Sequence, residues 1–449
     1  MNARYLSRRS LVGLWAAMVG GAVLAACAPA APTSGPAAKT TSAAKAATTA
    51  PTAKPVKNLQ APVRWWTRGT PDWQKAMQGI NDAYLAAYPD RKVTLEVMPS
   101  DRYDDKVFTS AAAGTLADVF HSNSEMVPTF AAKGIILDLT SLLDNDATIK
   151  KDIWFDWAWV PALYNNKIWA LTQKGNTSLT YYNKTLFDDA KVSYPKKEWT
   201  WADLVQSARA LTKPGSQWGT WVFPWHIAVW ENGGEIFSED GQVCKLDQPA
   251  AYEAIQWVAD LALKEKVGPN VSEQGAFGSL NPFMSGKVAT YVAGESELGG
   301  FINSIKDFQW AATWIPKGKH LFSEGTSTTF PMNRGTKVLD AAWEFLKFLS
   351  GDIRAYEVLN KAGKLGIPPL KAAFDKLFLG TEPRPDVKEV LGEMARYNRV
   401  WMRNITSGAE VKTAVTQGLS RVWSGAETAE AACKALTTQV NEILAKQPR

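Results

Sequence analysis

The most constraining stretch of this sequence runs from residue 62 to residue 120, where short apolar strands alternate with amphipathic helices. Pro62-Val63-Arg64-Trp65-Trp66 reads as a strand. Trp73, Met77, Ile80, Tyr84 and Tyr88 then recur at three- and four-residue spacing until Pro89, which lays one apolar face along a helix. Val93, Leu95 and Val97 alternate as a second strand, an Ala-rich helix covers about 102–113, and Asp118-Val119-Phe120 makes a third strand. A strand-helix-strand-helix-strand order needs a crossover at each step, so the sheet it predicts is parallel and doubly wound. Open α/β sheets bind ligands in the turns beyond the carboxyl ends of their strands. Two segments fall there, Trp66-Thr67-Arg68-Gly69 and His121-Ser122-Asn123-Ser124-Glu125.

Further along, Leu179 to Lys184 reads as a strand entering a short helix, and residues 235–246 as a hairpin whose Asp240-Gly241 supplies the positive φ of a tight turn. Asp247 and Pro249 start a helix bearing Ile255, Val258 and Leu261, and a comparable helix from Leu339 to Leu349 is capped by Gly351.

The N-terminus sets the compartment. Ser7-Arg8-Arg9-Ser10 precedes an apolar run, Leu11 to Leu24, too short to span a bilayer and stay, which reads as an export signal. The pair Arg8-Arg9 resembles the twin-arginine export pattern but also fits an ordinary charged leader. Leu24-Ala25-Ala26-Cys27 resembles the bacterial lipobox, in which the cysteine becomes the lipid anchor of the mature chain. Residues 1–26 are thus expected to be a signal, and 27–57 a disordered Ala/Thr/Pro/Lys tether with no apolar periodicity.

The formal charge of +6 is concentrated in this leader: Arg4, Arg8, Arg9, Lys39, Lys45, Lys54 and Lys57 stand there without one acid, leaving the body at −1. No electrostatic case for nucleic acid survives. Of the later cysteines only Cys244 and Cys433 remain, in a compartment that permits a bridge; their spacing alone does not pair them, and two small buried thiols are the plainer reading.

Several stretches are similar to the family of extracellular solute-binding proteins that includes the bacterial maltose- and oligosaccharide-binding proteins. Besides the lipobox they are Ala111-Ala112-Ala113-Gly114 running into Ala117-Asp118-Val119; Ala170-Leu171 leading to Tyr181-Tyr182-Asn183-Lys184-Thr185-Leu186-Phe187; Trp199-Thr200-Trp201-Ala202-Asp203-Leu204; Phe283-Met284-Ser285-Gly286-Lys287-Val288-Ala289; and Ala341-Ala342-Trp343-Glu344-Phe345-Leu346-Lys347-Phe348-Leu349. They fall in the family's order across nearly the whole body. The resemblance implies an α/β, two-lobed periplasmic-binding-protein-like fold with discontinuous lobes, 58–178 plus 327–366 and 179–326 plus 367–449. Hinge crossings are expected near Thr177 to Tyr181, Thr326 to Thr329 and Lys364 to Pro368. It also implies a lipid-anchored monomer on the extracytoplasmic face of the cell membrane that captures a carbohydrate and docks on the permease of an ATP-binding-cassette importer, without cofactor.

Twenty Trp in one chain exceed what a core needs, and Trp lays a flat apolar plate on a pyranose face. Trp73, Trp257 and Trp343 sit on helical apolar stripes and belong to the core. Trp66, at the end of the first strand, and Trp225 and Trp230, flanking His226 in a stretch whose family counterparts face the cleft, are candidate ligand contacts. Hydroxyls in a closed cleft need partners, so Asn123 and Glu125 after the third strand, Glu295 and Ser296 in Gly294-Glu295-Ser296-Glu297, and Thr326 and Ser327 at a crossing are added. The family's loop near Glu295 commonly bears a Trp; this one has none.

Three other readings stay open. A secreted glycoside hydrolase would need two carboxylates opposed across the cleft, as Glu125 and Glu295 could be. A non-sugar solute such as a polyol phosphate would call for Arg or helix N-termini, of which the candidate loops offer Arg68. A surface lectin would have no permease. No G-x-S-x-G elbow or H-E-x-x-H helix occurs, and His121, His226 and His320 lack metal-ligand spacing.

Overall fold

In the computed structural model the described residues are 57–447, apart from 279, 364–365 and 382–383. The export signal, Cys27 and nearly all of the tether lie outside them, as does the Lys364 end of the third expected crossing.

The opening alternation builds the sheet it implies. Strands β1 (Val63–Thr67), β2 (Val93–Val97) and β3 (Val119–Phe120) lie in the order β2-β1-β3, all parallel, with Trp65 opposite Leu95 on one side and Val119 on the other. The helix Pro71–Ala87 starts where Pro at N1 needs no donor and Thr70 accepts from the Trp73 N–H, and it buries the Trp73, Met77, Ile80 and Tyr84 stripe. Beyond β3 the chain forms β4 (Ser122–Asn123), a small hairpin of β5 (Leu163–Tyr164) and β6 (Lys167–Ile168), and β7 (Ala170–Gly175).

The chain then builds a second sheet around β8 (Ser178–Asn183), flanked on both sides by antiparallel partners, β9 (Thr290–Gly294) and β10 (Trp310–Thr313). After β11 (Ser323–Glu324) it returns: β12 (Ser327–Pro331) inserts between β4 and β7, antiparallel to both. The helix Leu339–Gly351 follows and packs on β1, with Phe345 edge-on to Trp65 at 5.0 Å. The two lobes are therefore discontinuous in sequence. One core gathers Trp65, Ile80, Tyr84, Phe345 and Tyr356; another gathers Tyr181, Ile227, Phe283, Phe301 and, from the C-terminal helices Gly408–Trp423 and Ala429–Leu444, Leu419 and Val440.

Gly351 departs from its expected role. It is the last residue of its helix, not a left-handed cap beyond it, and Asp352 takes the cap position. What requires glycine is room: a Cβ would stand 2.8 Å from Ile149 Cδ1 and 3.0 Å from Trp154 Cζ2. The earlier helix, Pro249–Leu263, starts two residues on from Asp247, with Gln248 as its N-cap and Pro249 first inside.

Three crossings and one brace meet between the lobes. Gly175 exchanges both backbone hydrogen bonds with Ile367 at 2.8 and 2.9 Å, and the Asn176 N–H donates to the Thr326 carbonyl at 2.9 Å. The Ser178 N–H donates to Ser323 Oγ, and Thr177 Oγ1 donates to Asn398 Oδ1 at 2.6 Å. Asn398 and Arg399 form β13, parallel to β11, a brace that no periodicity announces. Trp157 packs against both cores, its ring lying 2.4 Å from where a Cβ on Gly175 would be. Among the described residues no helix is long and apolar enough to cross a membrane.

One buried ion pair anchors the first lobe. Lys347 Nζ reaches Asp146 Oδ2 at 2.9 Å and Thr148 Oγ1 at 2.8 Å, and Trp343 Nε1 donates to the same carboxyl at 2.8 Å. Burial works against this carboxylate, but the hydrogen bonds from Thr148, Lys347 and Trp343 outweigh it and hold the group below the usual range. Lys347 Nζ also meets Glu344 Oε1 at 3.0 Å, so Asp146→Ala leaves the ammonium one carboxylate but removes the acceptor of the Trp343 indole N–H, and is expected to destabilise by about 1–3 kcal/mol in denaturant unfolding; a loss below about 0.5 kcal/mol would show the Asp146 contacts to be solvated.

Candidate ligand-binding cleft

On the first lobe, polar side chains converge at the carboxyl ends of the parallel strands. Arg68 follows β1, Tyr103 and Asp104 open the helix Tyr103–Ala112 after β2, and His121 follows β3. The Arg68 guanidinium sits 4.9 Å from the Tyr103 ring centre; Tyr103 and Trp73 meet the His121 ring edge-on at 6.1 and 6.2 Å; and Lys174 Nζ lies 4.4 Å from the Trp73 ring. Trp73 is held in place by its own indole N–H bond to Thr67 Oγ1.

This group is buried yet incompletely bonded. Among the described residues, Arg68 Nε, Asp104 Oδ1, both ends of the Gln173 amide and Asn176 Oδ1 have no hydrogen-bond partner. Gln173 is the extra residue of a bulge, since Thr328 opposes Lys174 while Thr329 opposes Thr172. A buried polar atom without a partner costs roughly 1–3 kcal/mol, and several stand together here.

Electrostatics sharpen this picture. Burial pushes His121 down to about 3, helped by the Arg68 and Lys174 charges, so its ring is a neutral donor and acceptor. Glu295, from the second lobe, is pushed up to about 7 by burial, with Lys174 opposing. Burial also lowers Lys174, with Glu295 pulling the other way. These two groups thus sense each other across the junction.

The second lobe contributes aromatic plates around a carboxylate. His226 Nε2 lies 2.9 Å from Glu324 Oε2, and its ring stacks over Trp401 at 6.3 Å and 17°. Trp225 stands edge-on to Trp401 at 5.6 Å, and Phe237 stacks on it at 6.4 Å. Burial would raise the Glu324 carboxyl, but His226 overrides that and holds it below its ordinary value. Arg399 is clamped by both oxygens of Glu235, at 2.8 and 3.2 Å, and lies over Trp230 at 5.1 Å. The two faces are joined by the crossing itself: Glu324 ends β11, and three residues on, β12 begins to pair with β7 and then with Asn123. Thr129 Oγ1 also donates to the Thr406 carbonyl at 2.7 Å.

The residues singled out from sequence divide accordingly. Asn123 pairs with Thr328, and Glu125 lies half-buried beside Gly408, its carbonyl 3.8 Å from that residue's Cβ position. Trp225 belongs to the aromatic group, and Glu295 is buried at the junction, its N–H donating to the Thr177 carbonyl. Ser327 is buried opposite Gly175, whereas Thr326 and Ser296 are exposed. Trp66 is placed elsewhere: it is packed with Val107 and Phe120 in the first lobe, its indole N–H bonded to Glu96 at 2.8 Å, because this sheet is covered on both faces. Trp230 is likewise buried, on the inner side of the helix Trp225–Glu231. Tyr103, Asp104, Lys174, Glu324, Arg399 and Trp401 were not anticipated. Arg68 and His121 stand in the two turns already marked as strand ends, so position alone could have raised them; residues 398–401 carry no such signal.

Among the described residues no group of three or more His, Cys, Asp or Glu could hold a metal ion. Residues 69–353 match the family described as bacterial extracellular solute-binding protein. A provisionally named binding protein of Brucella abortus (strain 2308) is 24% identical over 283 residues, 60% of this chain and 67% of the relative. The sn-glycerol-3-phosphate-binding periplasmic protein of Agrobacterium fabrum is 21% identical over 367 residues, 71% of this chain and 82% of the relative. Among solved structures, the substrate-binding protein of Listeria monocytogenes in complex with cycloalternan superposes with a TM-score of 0.75 at 23% identity, covering 86% of this chain and 100% of that one. The sugar-binding protein MalE of Xanthomonas citri gives 0.73 at 17% identity, over 86% and 98%. With more than half its length matched to that family, and with the two-lobed architecture in common, this chain is a member of the bacterial extracellular solute-binding proteins.

Proposed function

We propose that this protein captures a carbohydrate between its lobes and delivers it to the permease of an ATP-binding-cassette importer. The observation that carries the reading is the set of buried, unpartnered polar atoms on the first lobe, from Arg68 to Asn176, facing a junction beyond which the second lobe offers indole plates and an ionised carboxylate. Hydroxyls satisfy the first set, and the apolar face of a sugar ring suits the second. A ligand that touches both lobes favours the closed form, which is what a permease can distinguish. Cys27 would hold the protein to the membrane as a lipid-anchored monomer, with the tether giving it reach.

A polyol phosphate is the second reading. Arg68 and Lys174 form no ion pair among the described residues, resting instead on the rings of Tyr103 and Trp73, and a relative is named for binding sn-glycerol 3-phosphate.

Tryptophan fluorescence, titrated with mono- and oligosaccharides and with sn-glycerol 3-phosphate, separates these. The sugar reading expects saturable change with a neutral sugar and no liberated reducing sugar, and Arg68→Ala and Trp401→Ala should each weaken binding about 10-fold or more. Saturation by the phosphate alone would favour the second reading, and turnover would make the protein a hydrolase.

Glu295 gives a pH test of the junction. The folded chain keeps this proton up to about pH 7, whereas the unfolded chain releases it near 4.5. The native state therefore binds more protons through that window, and ligand-free stability falls as pH rises across it. Glu295→Gln is expected to flatten that fall, by up to about 1.4 kcal/mol per pH unit; an unchanged slope in urea unfolding would assign the proton to another group.

A further inference from the structure

Cys244 and Cys433 are both buried, and both are thiols in this structure. Cys244 lies in the turn 236–245, where it pairs with Phe237 while the Lys245 N–H donates to the Ile236 carbonyl at 2.9 Å. Cys433 lies on the helix Ala429–Leu444. Cys433, Thr437 and Asn441 stand four apart and share one helix face. Cys244 sits on that same face: its N–H donates to Asn441 Oδ1 at 2.8 Å, and its Sγ lies 3.8 Å from Thr437 Oγ1. Cys433 lies one helical turn before Thr437 on that face, in the same core.

We propose that Cys244 and Cys433 close into a disulfide outside the cytoplasm, stapling the turn 236–245 to the C-terminal helix. The compartment follows from the family, whose members are extracellular. The step is thiol–disulfide exchange with an oxidised thiol–disulfide oxidoreductase. One cysteine thiolate attacks a sulfur of that disulfide to form a mixed disulfide, and the second thiolate then displaces the oxidoreductase. Two protons and two electrons pass to the oxidoreductase, which leaves as a dithiol. Burial pushes both thiols up, Cys433 to about 12, so thiolate is scarce once the core has closed and the bond forms during folding.

The staple has a consequence at the cleft. The same turn carries Phe237, which stacks on Trp401, and follows Glu235, which clamps Arg399. Fixing it fixes the second lobe's aromatic wall. This consequence rests on the ligand reading above; the bond itself does not.

The test uses the full chain exported from a bacterium, alkylated under denaturing conditions without reductant and mapped by protease and mass spectrometry. The expected result is a linked peptide containing Cys244 and Cys433, neither alkylated, that separates on reduction. Reduction should lower the melting temperature by roughly 5 °C, from the closure entropy of so long a ring. Cys433→Ser should melt with the reduced parent whether or not reductant is present. Both cysteines alkylated in the unreduced protein would overturn the bond, and a linked pair whose reduction leaves melting unchanged would overturn the staple. If Cys433→Ser does not fold, the parent's peptide map still decides. Loss of sugar binding with the link intact would count against the ligand reading alone.

Discussion

Everything in this molecule depends on a knot of short backbone hydrogen bonds at the junction, where Gly175, Asn176, Thr326 and Ile367 bond to one another and Asn398 braces them. These bonds join uncharged groups, and at the buried pair Gly175 and Ile367 an unmade bond is costly. In the closure proposed above, the bodies on either side would rotate while these segments stay paired. Trp157, wedged over Gly175 and touching both cores, leaves the crossing no room for a side chain.

The junction also determines the electrostatics of the cleft. Of the charged and polar groups nearest it, Lys174, Glu295 and His121 have their ionisation displaced chiefly by burial, whereas Glu324 is displaced against burial by His226. Three carry the form with less charge more readily than usual, and Glu324, held by His226, remains ionised. The result is a cleft in which one carboxylate is committed while its neighbours can shift between donor and acceptor roles.

Much of this architecture is written locally in the chain. The stripe of Trp73, Met77, Ile80 and Tyr84 and the alternation of Val93, Leu95 and Val97 depend only on neighbours in sequence, and the elements they imply formed. The antiparallel second sheet and the β11–β13 brace depend on partners far away, and short strands such as Asn398–Arg399 carry too few residues for a pattern. The same distinction governs the cleft. Arg68 and His121 occupy turns that strand order marks, but Trp401 reaches His226 only because the C-terminal segment folds back, which no local spacing reveals. Trp66 was misjudged because a strand end looks like a cleft edge unless the sheet is covered on both faces, as here.

The insertion of β12 between β4 and β7 bears on how the chain comes to be folded at all. The ribosome makes β4 and β7 first, then the whole of β8 to β10, and only afterwards the strand that fills the gap. Until then the edges of β4 and β7 that β12 will join have no partner, and bare edges recruit strands from other molecules. Such distant pairing is also slow to form. The nascent protein is therefore most prone to aggregate during a defined interval of its own synthesis, from the emergence of Gly175 to that of Ser327.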